Sequence, residues 1–298
     1  MTTAFVLSGG GSLGAVQVGM LQALADRDIA PDLLVGASAG ALNAAFVAGH
    51  GFSAGTLDQL AAIWSRLRRR DVFPFSPPRQ LLALAGARPS LCAPDGIRRL
   101  IETHLTYADL EDAEIPVHVV ATDVLAGTDV VLSSGDPVPA VLASAAIPAV
   151  FPPVPVDDLV LFDGGVANNT PISHAAALGA DRIVVLPAGV ACALAAPPRT
   201  AVAIAVHALT LLIEQRLMLD IATYHDRVEL IVLPPLCPLS VSSSDFRSGA
   251  LLIDRARTAT ARWLAAGNHR LPHPERFLSL HRHPGLVPAD HTCAEGAA

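Results

Sequence analysis

The 298-residue chain contains no lysine, and all 20 of its basic side chains are arginines. The abundance of alanine, glycine and proline indicates codon usage in a GC-rich genome, so the missing lysine excludes no function. Basic residues form a run only at Arg68–Arg70, and the net charge is −7. Nucleic-acid-binding domains carry a strong basic face, so we expect no nucleic-acid partner.

Cysteine is scarce too, and the four cysteines lack paired spacing: Cys92, Cys192, Cys237 and Cys293. This pattern favours a reducing compartment over a disulfide framework or a zinc site. The first residues lack a positively charged start, and Gly9–Gly11 interrupt the first apolar run, which argues against a signal peptide. We therefore expect a cytoplasmic protein, at most peripheral to the membrane.

No stretch is predicted to span a membrane, although 52 % of the residues are hydrophobic and the mean hydropathy is +0.47. The run Leu33–Gly49 is apolar, but Ser38 and Asn43 interrupt it. The apolar content instead predicts a large core around a buried sheet.

A serine motif follows one of the apolar runs. Leu33–Asn43 reads LLVGASAGALN, with Ser38 between Gly36 and Gly40 and a helix predicted over Ala39–Ala48. A serine on a sharp strand-to-helix turn is typical of a nucleophile, and the small glycines let a substrate carbonyl approach its hydroxyl. The pattern predicts Ser38 as a nucleophile, which needs a base and oxyanion donors.

A glycine-rich loop supplies candidate donors. The predicted strand Thr3–Leu7 is followed by SGGGSLG over Ser8–Gly14 and then by a predicted helix, Ala15–Ala25. Backbone N–H groups at such a helix start suit a phosphate or an oxyanion. The glycines also fit the G-x-G-x-x-G dinucleotide motif. That interpretation is less favoured, because the second strand ends in Gly36–Ser38 rather than in an acidic residue.

The candidate base is Asp163, which follows the apolar strand Leu159–Phe162 and precedes Gly164 and Gly165. Open α/β sheets place their chemistry at such strand ends. An ordinary Asp-Gly turn is the alternative. Together with the two upstream motifs, the pattern favours Asp163 as the base for Ser38, with burial raising the pKa of its carboxyl.

Strand-like and helix-like segments alternate along the chain. The later predicted strands are Val117–Thr122, Arg182–Leu186 and Glu229–Leu233, with an antiparallel arm within Gly127–Gly135. The predicted helices after the serine motif are Leu57–Arg70, Asp95–Leu105, Pro171–Leu178, Ala201–Thr223 and Asp245–Ala266. This order predicts an α/β fold with a mostly parallel sheet covered on both faces.

The chain resembles the patatin-like phospholipase family from Thr3 to about Gly189. The resemblance rests on four motifs in order: SGGGSLG, GASAG, ASAAIPAVFPPV at Ala143–Val154, and DGG. The resemblance implies a three-layer α/β/α sandwich and a lipid acyl hydrolase acting on a phospholipid, lysophospholipid or simpler lipid ester without a cofactor. The implied site comprises the dyad Ser38 and Asp163, the oxyanion-hole glycines Gly9, Gly10 and Gly11, and the motif glycines Gly14, Gly36, Gly40, Gly164 and Gly165. The chain departs from the family at Leu13, where a basic residue is usual, which leaves open how firmly the glycine-rich loop is held.

Two other functional interpretations stay open. An α/β-hydrolase triad would need a histidine after Asp163, and His174, His207 and His225 are the candidates. A non-catalytic lipid-binding regulator is the second, and the intact Ser38 and Asp163 argue against it.

Because Ser38 and Asp163 must meet, we predict one patatin-like acyl hydrolase domain over residues 1–267. Residues 268–298 are rich in proline and histidine and are predicted to form a disordered tail. His281 and His283 lack the cysteine or carboxylate neighbours of a metal site, so we expect no metal there. The segment Arg68–Pro94 combines arginines with apolar residues and is interpreted either as a membrane-facing lid or as a solvated helix end and loop. The oligomeric state stays unknown.

Overall fold

The computed structural model describes residues 1–190, 197, 199–271 and 274. The strands are β1 (Thr3–Leu7), β2 (Leu33–Ala37), β3 (Val117–Asp123), β4 (Asp129–Leu132), β5 (Val154–Val156), β6 (Leu159–Asp163), β7 (Arg182–Leu186) and β8 (Glu229–Val232). The helices are α1 (Gly14–Ala25), α2 (Ala39–His50), α3 (Ala54–Arg66), α4 (Arg69–Val72), α5 (Pro77–Leu84), α6 (Asp95–His104), α7 (Pro137–Ser144), α8 (Ile172–Ala177), α9 (Ala201–Tyr224) and α10 (Gly249–Ala265).

The strands form one sheet in the order β5-β6-β3-β2-β1-β7-β8, and β4 also pairs with β3. The strands from β3 to β8 in this order are parallel, whereas β4, β5 and β6 are antiparallel to their neighbours. The predicted α/β fold with a mostly parallel sheet is confirmed.

Helices cover both faces of the sheet. Phe5 and Leu7 of β1 belong to the larger apolar cluster, whereas Ala4 and Val6 belong to a second one. Successive side chains of a strand point to opposite faces, so the two clusters lie on opposite sides of the sheet. The larger contains side chains of α1, α2, α3 and α10, and the second contains those of α8 and α9. The molecule is therefore a three-layer α/β/α sandwich.

Several helices differ from the predicted ones. The predicted helix Leu57–Arg70 is two helices, because Leu67 has an extended backbone between α3 and α4. Helix α10 begins at Gly249, after a 3-10 turn over Phe246–Ser248. The segment Arg68–Pro94 contains the helix α5 rather than only a loop. Of the predicted tail, residues 268–270 form a 3-10 turn. His281 and His283 lie outside the described residues, as do Cys192 and Cys293.

Candidate active site

Strands β2 and β6 meet end to end along one edge of β3. Ala37, the last residue of β2, pairs with Val120, and Asp163, the last residue of β6, pairs with Ala121. Strand β4 pairs with both of these β3 residues, so it occupies the opposite edge. This junction brings Ser38 and Asp163 together although they are 125 residues apart in the chain.

The two side chains are hydrogen-bonded and buried. The Oγ of Ser38 donates to Oδ2 of Asp163 at 2.7 Å, and the amide of Gly165 donates to Oδ1 at 2.7 Å. Burial raises the pKa of Asp163 to about 6, against the opposing effect of these two donors. The rise agrees with the predicted effect of burial. A carboxylate whose pKa lies nearer neutrality is better matched to proton transfer than an exposed one.

Ser38 has a strained backbone, with φ 54° and ψ −123°. This conformation is rare for a residue with a side chain and is maintained only where surrounding contacts require it. The Ser38 amide donates to Oγ of Ser144 at 2.8 Å, and that hydroxyl donates to the carbonyl of Val120 at 2.6 Å. Ser144 therefore ties the turn to β3.

Five motif glycines are packed too closely for a side chain: Gly14, Gly36, Gly40, Gly164 and Gly165. A Cβ at Gly40 would overlap the carbonyl oxygen of Leu7 at the end of β1. A Cβ at Gly164 would overlap the carbonyl oxygen of Val120 in β3. These close approaches bring the serine turn and the aspartate turn against their neighbouring strands and so set the spacing of the two side chains.

The glycine loop, residues 8–14, contributes two free backbone donors. The amides of Gly10 and Gly11 donate to no acceptor among the described residues. The amide of Gly9, in contrast, donates to the carbonyl of Asn169 at 3.1 Å. Of the three glycines predicted to form the oxyanion hole, Gly9 therefore has an amide that is already paired within the fold, which leaves Gly10 and Gly11 as the candidate donors. A Cβ at Gly9 would overlap Oδ1 of Asn169 and lie 3.0 Å from Cβ of Ser38, so Gly9 permits close packing instead.

Neutral side chains of α1, α2 and α3 hold the glycine loop in place. Nε2 of Gln17 donates to the carbonyl of Ser8 at 2.7 Å, and Oε1 of Gln17 accepts from Nδ2 of Asn43 at 2.9 Å. Nδ2 of Asn43 also donates to the carbonyl of Gly14 at 3.0 Å, and its Oδ1 accepts from Nε1 of Trp64 at 2.7 Å. The three side chains are buried.

This network was not predicted from the sequence, although an amide in a largely apolar helix, as at Gln17 and Asn43, is a signal for a buried partner. Leu13, which stands where the family has a basic residue, is only 2 % exposed and packs in the larger apolar cluster. The network, and not a charged side chain at position 13, fixes the loop.

A different group of side chains holds the base loop, residues 163–169. Nδ2 of Asn168 donates to Oδ2 of Asp129 at 2.8 Å and to Oγ of Ser173 at 3.0 Å. Nε2 of His174 lies 2.6 Å from the same Asp129 oxygen. Burial tends to raise the pKa of Asp129, but the hydrogen bonds from Asn168 and His174 outweigh it, so the pKa lies below its usual value.

The histidines of the alternative triad lie elsewhere. His174 contacts Asp129, and His225 bonds to backbone carbonyls of α9 and lies 3.2 Å from Asp226. In the described part of the chain, no histidine forms a hydrogen bond with Ser38 or Asp163. Within the described residues, the geometry therefore favours a Ser–Asp pair over a triad.

An apolar cavity extends from Ser38 and Gly11 into the larger cluster. Its largest wall residues are Phe46, Trp64, Phe73, Phe151 and Phe246. Among the described residues that line it, none is Asp, Glu, Lys or Arg. His104 lies in the wall, and burial, together with nearby His50, lowers its pKa and favours the neutral ring. The cavity suits a hydrocarbon chain better than a charged group.

Residues 5–176 match the profile of the patatin-like phospholipase family, so the chain belongs to that family. It is 33 % identical over 178 residues to an uncharacterized NTE family protein of Mycobacterium tuberculosis, covering 60 % of this chain and 46 % of that protein. It is 31 % identical over 188 residues to the neuropathy target esterase sws of Drosophila melanogaster, covering 62 % of this chain and 13 % of that one. The chain thus spans less than half the length of these relatives.

A solved structure, VipD from Legionella pneumophila, aligns with a TM-score of 0.45 at 16 % identity, covering 89 % of this chain and 67 % of VipD. Within the described residues, no helix has the length and apolar character needed to cross a membrane. The same residues contain no group of three or more metal-ligating side chains.

Proposed function

We propose that the protein is a serine hydrolase that cleaves acyl ester bonds of lipids through a Ser38–Asp163 dyad and an acyl-enzyme intermediate. The observation that carries the proposal is the 2.7 Å hydrogen bond from Oγ of Ser38 to Asp163, formed at the end of an apolar cavity. Phospholipids, lysophospholipids and simpler lipid esters form the expected substrate class. Such substrates lie in lipid assemblies, so we expect transient contact with a membrane surface.

In the first step, Oγ of Ser38 attacks the ester carbonyl carbon while Asp163 accepts the hydroxyl proton. The amides of Gly10 and Gly11 donate to the oxyanion that develops on the carbonyl oxygen. Collapse of this intermediate breaks the ester bond, and Asp163 returns the proton to the leaving alcohol. The acyl group stays on Ser38 with its chain in the cavity.

In the second step, Asp163 accepts a proton from water, and the resulting attack on the acyl-enzyme forms a second oxyanion at the same amides. The fatty acid leaves, and the proton returns to Ser38. Each half-reaction therefore needs Asp163 ionised at its start. We infer that activity is lost as the pH falls through the raised pKa of about 6.

Labelling with a fluorophosphonate tests the nucleophile. The probe should attach to Ser38, as located by peptide mass spectrometry, and Ser38→Ala should abolish both labelling and ester hydrolysis. The control Ser133→Ala removes an exposed serine hydroxyl and should leave both unchanged. Equal turnover by the wild-type protein and Ser38→Ala would refute the proposal. Hydrolysis of a panel of phospholipids and esters of graded chain length would then identify the preferred substrate.

A further inference from the structure

Charge is distributed unevenly along the chain. The segment 66–99 contains eight of the 20 basic residues and only two of the 27 acidic ones, Asp71 and Asp95. Its formal charge is therefore +6, in a chain whose net charge is −7, so the remaining residues carry −13. Among the described residues, this segment therefore concentrates positive charge that it can present to a partner.

The same segment exposes large apolar side chains. Helix α5 has no buried residue. The exposed fractions are 72 % for Phe75, 70 % for Leu81 and 78 % for Leu84. Leu81 and Leu84 are three residues apart in the helix and so lie on one face, which Pro77 continues toward the N-terminus. Exposed arginines stand at both ends of this region, with Arg69 and Arg70 before it and Arg88 after it.

The segment is attached firmly to the body of the protein near the candidate site. The amides of Leu91 and Cys92 donate to the carbonyls of Ala149 and Val150 at 2.9 and 2.8 Å. Further, Val72 and Phe73 at the start of the segment, and Ile97 near its end, line the apolar cavity. One stretch of chain thus forms part of the cavity wall and carries the exposed apolar helix.

We propose that α5 and its flanking arginines are the surface by which the protein docks on an anionic lipid bilayer. Phe75, Leu81 and Leu84 enter the apolar side of the interface, and Arg69, Arg70 and Arg88 contact the acidic head groups. An apolar face flanked by cations is the arrangement of interfacial helices. Charge complementarity selects the occupant, because an anionic membrane repels the rest of the molecule and attracts this segment.

The inference deepens the proposed function, since a lipid hydrolase needs access to a bilayer, but binding is measured without turnover. Full-length protein carrying Ser38→Ala is sedimented with vesicles of phosphatidylcholine, with or without phosphatidylglycerol. We expect binding to the vesicles that contain phosphatidylglycerol, weakening as salt is raised. Absence of binding, or equal binding to both vesicle types, would overturn the proposal.

Two double variants locate the surface. Leu81→Ser with Leu84→Ser, and Arg69→Gln with Arg70→Gln, should each reduce the vesicle partition coefficient by roughly tenfold. The matched controls are Leu125→Ser, at a leucine that is 90 % exposed, and Arg262→Gln, at an exposed arginine of α10. Both controls should bind as the parent does. Binding by the α5 variants equal to that of the controls would contradict the assignment.

Two further measurements separate this inference from other outcomes. The surface variants are also made in protein that retains Ser38. There, each should hydrolyse a water-soluble short-chain ester at the same rate as the wild-type protein. If the wild-type protein binds vesicles but hydrolyses no ester, the proposed function is refuted and the docking proposal is retained. Light scattering without vesicles tests the alternative occupant: a dimer that Leu81→Ser with Leu84→Ser dissociates would assign the face to a second copy of the chain and overturn the lipid assignment.

Discussion

The glycine loop and the base loop both contact the Ser38 region, and different side chains anchor them. Gln17, Asn43 and Trp64 hold the glycine loop, and all three are neutral and buried. The base loop depends on Asn168 and on the pair Asp129 and His174, whose side chains are 30 % and 22 % exposed. The proposed oxyanion donors, the amides of Gly10 and Gly11, thus rest on side chains without ionisable groups, whereas the side chains that hold the loop of the proposed base include two ionisable groups.

This difference has a physical consequence for each loop. A buried network of neutral amides keeps its hydrogen bonds at every pH at which the protein is folded. An ionisable pair loses interaction energy when its carboxylate is protonated. We therefore expect the geometry of the donors to be insensitive to pH and the placement of the base to depend on it.

Asp163→Asn should reduce kcat/KM for a lipid ester by about 10²–10⁴-fold, because the amide cannot accept the serine proton. The same change should stabilise the fold at neutral pH, by up to about 3 kcal/mol, since the pKa of the buried carboxyl is raised by about two units. A raised pKa favours folding below the unfolded-state value, near ~4, and this contribution is lost as the pH rises through about 6. Urea denaturation across this range measures the difference.

The control for this prediction is Asp158→Asn, which changes an exposed aspartate in the turn between β5 and β6. It should alter neither activity nor the pH dependence of stability. A stabilising effect of Asp163→Asn that is equal at low and neutral pH would contradict the assigned cause, which is desolvation of the carboxylate.

Asn43→Leu should destabilise the protein by about 2–4 kcal/mol, because it leaves the Trp64 N–H and the Gln17 Oε1 buried without partners. This loss in the free energy of unfolding should be the same at each pH tested, since no charged group takes part in the network. Denaturation with urea provides the measurement, and Gln215→Leu, at an exposed amide of α9, serves as the control. A deficit that varied with pH would refute the description of this support as neutral.

Asp129→Asn should destabilise the protein by about 1 kcal/mol or less at neutral pH, because the pair is partly exposed to solvent. The pKa of Asp129 is lowered in the fold, so its contribution is present above the unfolded-state value and is lost as the pH falls below about 4. Stability measured against pH should show the variant and the wild type converging in acid. A difference in stability between variant and wild type that stayed constant with pH would contradict the expected pH dependence of the base loop.

His174→Ala, His207→Ala and His225→Ala should each retain activity within a few-fold of the wild type. Removal of a triad histidine would instead cost about 10⁶-fold in kcat. Steady-state hydrolysis of a soluble ester gives the comparison, and the melting temperature identifies any packing defect. A variant that is well folded and inactive would replace the dyad with a triad.

The parallel part of the sheet and the serine turn were predictable from local patterns. The buried runs Thr3–Leu7 and Arg182–Leu186 are strands with the predicted bounds. The order of the motifs indicated that Ser38 and Asp163 meet, and the structure places them in contact. Helices α5 and α7 were not among the predicted helices, and both begin with proline, which suits the first turn of a helix.

The parts of the site that were missed depend on partners far away in the chain. The bond from the Gly9 amide to Asn169 joins residues 160 apart, and no local pattern encodes it. The role of Ser144 likewise follows from its position beside Ser38, which only the packing of α7 on β3 determines. The amides of Gln17 and Asn43 were visible as polar residues in apolar helices, but their pairing was not.

The end-to-end junction of β2 and β6 has a consequence for how the chain folds. The serine turn is formed by residues close in sequence, whereas its aspartate arrives on an antiparallel strand that pairs with β3 after a long intervening stretch. Contacts of such large sequence separation carry a high loop-closure entropy and slow the folding of the structures that need them. Under the proposed mechanism, hydrolysis therefore requires both the parallel strands and the antiparallel strand β6 to be in place, and a partly folded chain carries a serine turn without Asp163 beside it.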